Sequence, residues 1–206
     1  MDDFYSNFNL VVRWLHVIAG ITWIGHLYFF NFVNVPLQGA LDDASKKAVN
    51  PQLLPRALWW FRWGAMITFL AGLTLFTSYY MYTPGVGFGP TTLFVDADGL
   101  TSRAMWILMG MLLGTIMWFN VWFIIWPAQK RLLTGKVPAA EIPSVRKRAL
   151  ITSRVNTFLS GPMLFGMLAP AHYGGINVMS AAIAIGLGLV AIWFSIRSSY
   201  TVGKLA

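Results

Sequence analysis

The sequence predicts an all-α integral membrane protein, a bundle of five transmembrane helices with the N-terminus outside and the C-terminus in the cytoplasm. Three observations lead there. Of 206 residues, 57% are hydrophobic and only 11% charged, with no cysteine; mean hydropathy is +0.61, whereas a soluble domain carries about 25% charged residues. Five apolar runs are long enough to cross a hydrocarbon layer about 30 Å thick, which takes roughly 20 helical residues. The segments between them alternate between basic and non-basic, the pattern that sets membrane orientation.

The spans follow in chain order as a single transmembrane domain over residues 1–206. The first covers about 9–35 and is expected to end at Pro36; the second covers 57–82 and ends at Thr83-Pro84-Gly85. The third covers 103–126 and is expected to end at Pro127; the fourth, 149–169, contains Pro162, and the fifth covers 176–196. Barrel strands would be shorter and would alternate in polarity. Met1-Asp2-Asp3 lacks the basic start of a cleavable signal peptide. No internal repeat is visible.

Lys46, Lys47 and Arg56 follow span one; Lys130, Arg131, Lys136, Arg146, Lys147 and Arg148 follow span three; Arg197 and Lys204 lie in the tail. The N-terminus offers Asp2 and Asp3, the loop after span two offers Asp96 and Asp98, and the loop after span four is uncharged. Of 15 basic residues only Arg13 and Arg103 fall on the outer side. The formal net charge of +8 therefore encodes orientation, and no nucleic-acid partner is expected. Trp59, Trp60, Phe61 and Trp63 read as an inner aromatic belt, and Tyr79, Tyr80 and Tyr82 as an outer one. Gly110-xxx-Gly114, with Gly186 and Gly188, reads as small-residue helix packing.

Without cysteine, disulfides, thiolate nucleophiles, Cys-ligated zinc, iron–sulfur clusters and covalent CxxCH haem are excluded. No span contains a carboxylate, and no GxSxG, P-loop or HExxH pattern occurs. Any metal chemistry rests on three histidines. His16, in span one, and His172, at the end of span four, share the outer leaflet, the arrangement an axial haem pair requires. Arg13, one turn above His16, is placed to pair with a propionate. His26 lies ten residues below His16 on the same helix, roughly 15 Å deeper, and is an alternative ligand with a partner such as Met109 or Met111. Against this stand ordinary hydrogen-bonded histidines within the bundle and at its interface.

Asn31, Asn34, Arg62, Asn120, Arg154 and Asn156 gather in the inner leaflet. Such a cluster can hold a propionate, a quinone head group or an anion. It reads equally as snorkelling arginine and interhelical asparagine bonds.

Four blocks carry a family resemblance: Arg13-Trp14-Leu15-His16-Val17-Ile18-Ala19-Gly20-Ile21-Thr22-Trp23-Ile24-Gly25, Leu58–Trp63, Asn120–Arg131, and Pro162–Leu168 followed by His172-Tyr173. In this order they resemble the membrane domain of the PuuD-type urate oxidase (urate hydroxylase) family over most of the chain. The resemblance implies a bacterial inner-membrane, multi-pass protein with redox connections, whose longer relatives end in a periplasmic cytochrome c domain. This chain differs in having no CxxCH, in lacking two spans between the second and third, and in carrying Val155 where longer relatives have the histidine of a His-Asn-Asn sequence. His16 and His172 match family histidines; His26 does not.

The resulting expectation is a subunit that binds haem b through His16 and His172 and passes electrons within a larger redox complex, with quinone the second choice of cofactor. Its expected partners are the bilayer, other membrane subunits and a periplasmic cytochrome c. The alternatives are a cofactor-free accessory subunit held by helix packing, and a urate- or purine-oxidising membrane protein served by an external cytochrome c.

Overall fold

The computed structural model describes residues 2–203, and the protein is all-helical apart from two small β-hairpins. Lys204, read above as part of the basic tail, lies outside the described residues. Helix α1 (Asp2–Tyr28) continues through a π-helical turn (Phe29–Asn34) into α2 (Val35–Ala40), and α3 (Asp43–Tyr80) runs back beside it. A loop with two antiparallel hairpins, Tyr82–Thr83 with Gly87–Phe88 and Val95–Asp96 with Gly99–Leu100, leads to α4 (Ser102–Phe119). A second π-helical turn (Asn120–Ile125) joins α4 to α5 (Trp126–Leu133). The long α6 (Ile142–His172) then packs against α4, and α7 (Val178–Ser198) packs against α6.

Three helical stretches, Asp3–Ala40, Ser102–Leu133 and Val178–Ser198, are long and apolar enough to cross a membrane. Helices α3 and α6 are as long but carry more polar residues, among them Arg62, Arg154 and Asn156.

Neither Pro36 nor Pro127 ends its helix, as the sequence reading expected. A proline lacks the N–H for the i−4 bond and its ring clashes with that carbonyl. The π-helical turn before each proline absorbs the conflict: Val35 N–H reaches Phe30 O and Trp126 N–H reaches Val121 O, each one residue further back than in an α-helix. Although no repeat is visible in the sequence, the topology duplicates. Each half consists of an apolar helix, a π-helical turn, a proline-led short helix and a long antiparallel return.

The core lies where the helical hairpin α1/α3 meets the helical hairpin α4/α6. Trp23, Leu27, Phe61, Ala65, Met117, Val121, Ile125 and Met163 form one buried cluster. Phe61 thus belongs to the core, while its belt neighbours Trp59, Trp60 and Trp63 are exposed. Glycine sets the closest approaches. A Cβ on Gly166 would lie 2.8 Å from Gly110 N, and one on Gly161 would lie 2.6 Å from Gly188 O. Gly186 touches nothing at that position, so only Gly188 of the expected pair packs a helix.

Candidate functional site

His16 is half-buried on α1, and its Nδ1 lies 2.9 Å from the carbonyl oxygen of Thr68 on α3. A carbonyl only accepts, so Nδ1 carries the proton and Nε2 is left with its lone pair. Imidazoles that bind a metal commonly donate their other N–H to a carbonyl in this way, which fixes the ring's orientation. Gly72 lets α3 come this close: a Cβ there would sit 3.0 Å from His16 Cε1. One turn away, the Arg13 guanidinium lies over the Tyr79 ring at 4.9 Å.

His172 closes the last turn of α6 and is exposed. Beside it, Tyr173 packs edge-on against Trp106 and Phe165, with ring centroids 5.8 Å from each. Helices α1 and α6 are tied by a hydrogen bond of 2.9 Å from Tyr28 OH to Ser160 Oγ, the serine hydroxyl itself donating to Thr157 O. His16 precedes Tyr28 by twelve residues and His172 follows Ser160 by twelve. On antiparallel helices both lie about 18 Å from that tie, in the same direction.

No group of three or more His, Asp or Glu side chains that could hold a bare metal ion occurs among the described residues. Haem is less demanding, because the macrocycle supplies four nitrogens and the protein only axial ligands. A histidine with a fixed tautomer and an unclaimed Nε2 fits that requirement.

His26 is anchored differently, with Nδ1 2.7 Å from Thr22 O on its own helix. It lines a groove of about 540 Å³ between α1 and the first half of α3, together with Gly25, Arg56 and Trp60. Sequence reasoning did not find this groove, since it depends on how two helices separate.

The six polar residues grouped by the sequence reading divide into separate contacts. Asn31 (1% exposed) donates to Ser153 Oγ and Leu27 O, both at 2.9 Å. Asn120 donates to Asn156 Oδ1 at 2.7 Å, and Asn156 donates to Met117 O at 2.9 Å. Asn34 accepts from Gln38 at 3.3 Å, and Gln38 exchanges bonds of 2.8 and 2.9 Å with Asn50. Arg154 donates to Tyr200 OH at 2.9 Å. Arg62 has no carboxylate within ion-pair reach among the described residues; its guanidinium lies 3.9 Å from the Trp126 ring centroid and 5.7 Å from that of Trp122, which donates to Arg62 O. Tryptophan faces compensate a cation in an apolar setting. Most of these groups therefore join helices.

The urate oxidase N-terminal family profile matches residues 3–89 and 89–204. The two stretches meet at Gly89, in the loop between α3 and α4, where the longer relatives were expected to carry extra spans. Neither a curated protein nor a solved structure matches the chain. With all seven α-helices inside or all but inside the matched stretches, the chain belongs to the urate oxidase N-terminal family.

Proposed function

We propose that the chain is the membrane-embedded redox subunit of a urate-oxidation-related system, crossing the bacterial inner membrane five times with its N-terminus outside. In this reading His16 and His172 would hold haem b, which would supply one-electron chemistry toward a partner. The observation that carries it is the geometry of His16, whose Nδ1 is spent on Thr68 O and whose Nε2 is free to ligate. The register from the Tyr28–Ser160 tie supports His172 as the second ligand.

The chain's own residues bind and orient the haem. Thr68 fixes the imidazole of His16, Gly72 admits it, and Arg13 provides a cation for a propionate. The alternating basic segments support five crossings, with α3 and α6 turning their polar side chains toward the neighbouring helices.

The test is the optical spectrum of the purified chain, oxidised and reduced. A Soret band is expected, lost on His16→Ala and on His172→Ala separately. Loss with His26→Ala alone overturns the pairing. A colourless, iron-free protein overturns the haem and leaves a subunit that works by helix packing. Cytochrome c reduction by membranes supplied with urate tests the link to urate.

A further inference from the structure

The His26 groove has the features of a ligand site. Its walls are apolar, with Ile21 from α1, Phe29 from the π-helical turn that follows it and Trp60 from α3. Gly25 leaves its floor open: a Cβ there would meet nothing within 4 Å, so no helix contact requires glycine at a mid-helix position where glycine is destabilising. His26 is the acceptor. Its Nδ1–H donates to Thr22 O at 2.7 Å, and its Nε2 has no protein partner among the described residues. At the rim Arg56 donates to the carbonyl and side-chain oxygens of Gln52, the latter at 2.9 Å, and its remaining N–H groups are available.

The groove thus combines an acceptor nitrogen in apolar surroundings, a flat aromatic wall and a donor at the mouth. A phosphate has little to give an imidazole lone pair. A hydroquinone ring does: one hydroxyl donates to Nε2, the opposite oxygen faces the arginine, and the ring lies along the indole. A quinol also arrives from the hydrocarbon phase. We propose that this groove binds the head group of a membrane quinol, with a ring hydroxyl donating to His26 Nε2. The proposal rests on the membrane-embedded reading above and is independent of the haem.

A decyl-tailed benzohydroquinone, titrated anaerobically into the full chain in nanodiscs, is the probe, followed by tryptophan fluorescence. Saturable quenching is expected. Gly25→Leu should weaken binding at least tenfold while leaving the melting temperature unchanged or raised, because the new side chain enters empty space. His26→Phe should weaken hydroquinone about tenfold and the oxidised quinone, which has no hydroxyl to donate, less than twofold. Unsaturable quenching, or full affinity in Gly25→Leu, overturns the proposal. Displacement of hydroquinone by phosphatidylglycerol with His26→Phe neutral also overturns it, and makes the groove a lipid site. The His16→Ala protein should bind hydroquinone normally, so loss of the haem reading and loss of this one are separable.

Discussion

Between α1 and α3 the ends are joined by polar groups. Ser78 donates to Asn9 at 2.5 Å, Tyr5 donates to Ser78 O, and His16 reaches Thr68 O at 2.9 Å. Between α4 and α6 the corresponding stretch is nearly bare backbone, with Gly110 against Gly166, and α7 repeats the device with Gly188 against Gly161. The two helix pairs share a topology, and in these stretches they differ in their adhesive; elsewhere Gly64 approaches the Trp23 backbone in the first pair and Asn156 bonds Met117 O in the second. In lipid, helices gain little from burying apolar surface against each other, so close packing and hydrogen bonds must hold them. Packing on glycine leaves no group free for chemistry. Polar contacts also hold a seam, and one of them orients a histidine. The candidate chemistry accordingly falls largely on the α1/α3 hairpin, with α6 contributing His172.

This contrast can be broken at graded strength. The largest effect is expected from Gly166→Val, whose side chain would run into Gly110 backbone; the cost should reach or exceed the ~1–3 kcal/mol typical of overpacking, read as a fall in melting temperature in nanodiscs. Asn156→Leu removes both the Asn120 bond and the bond to Met117 O; about 1–2 kcal/mol is expected, since membrane hydrogen bonds seldom exceed that. Ser78→Ala, in the polar seam, should cost about 0.6 kcal/mol by the same measure. If Ser78→Ala proves as damaging as Gly166→Val, the distinction between the seams fails.

The smallest effect concerns Asp42, which caps α3 outside the spans. The Ser45 N–H, donating at 2.7 Å, holds its carboxyl below the usual carboxylate range. The cap's contribution is therefore full above the unfolded value of about 3.9 and is lost as pH falls through the lower folded value. Asp42→Asn, which caps without a charge, should flatten the acid side of a melting-temperature profile below about pH 4. An unchanged profile would show that other carboxylates dominate.

Much of this was legible in the sequence. The apolar runs locate the cores of all five long helices, because hydropathy over some 20 residues is an additive property. Gly110 and Gly188 could be read as packing residues, but their partners Gly166 and Gly161 required three-dimensional register. The helix ends at Pro36 and Pro127 were misplaced because local rules make proline a terminator, and the π-helical turns that accommodate it have no simple sequence signature. The polar residues Asn31, Asn34, Arg62, Asn120, Arg154 and Asn156 stand out in the sequence, and in the structure they form several bridges where a single cluster was expected. His26 could be singled out as a histidine within an apolar run; its groove could not, because it exists only where Gly25 leaves α1 bare opposite Trp60 and Arg56.

Each π-helical turn has one further effect. A residue added within a helix turns everything beyond it by about 100° about the axis. Gln38, below the first such turn, meets Asn50 on the returning helix at 2.8 and 2.9 Å. In an uninterrupted α-helix the same side chain would be aimed more than a quarter of a revolution away. The wide turn therefore works as a phase shifter: it redirects an amide beyond α1 so that it fastens α2 to α3 where the chain reverses.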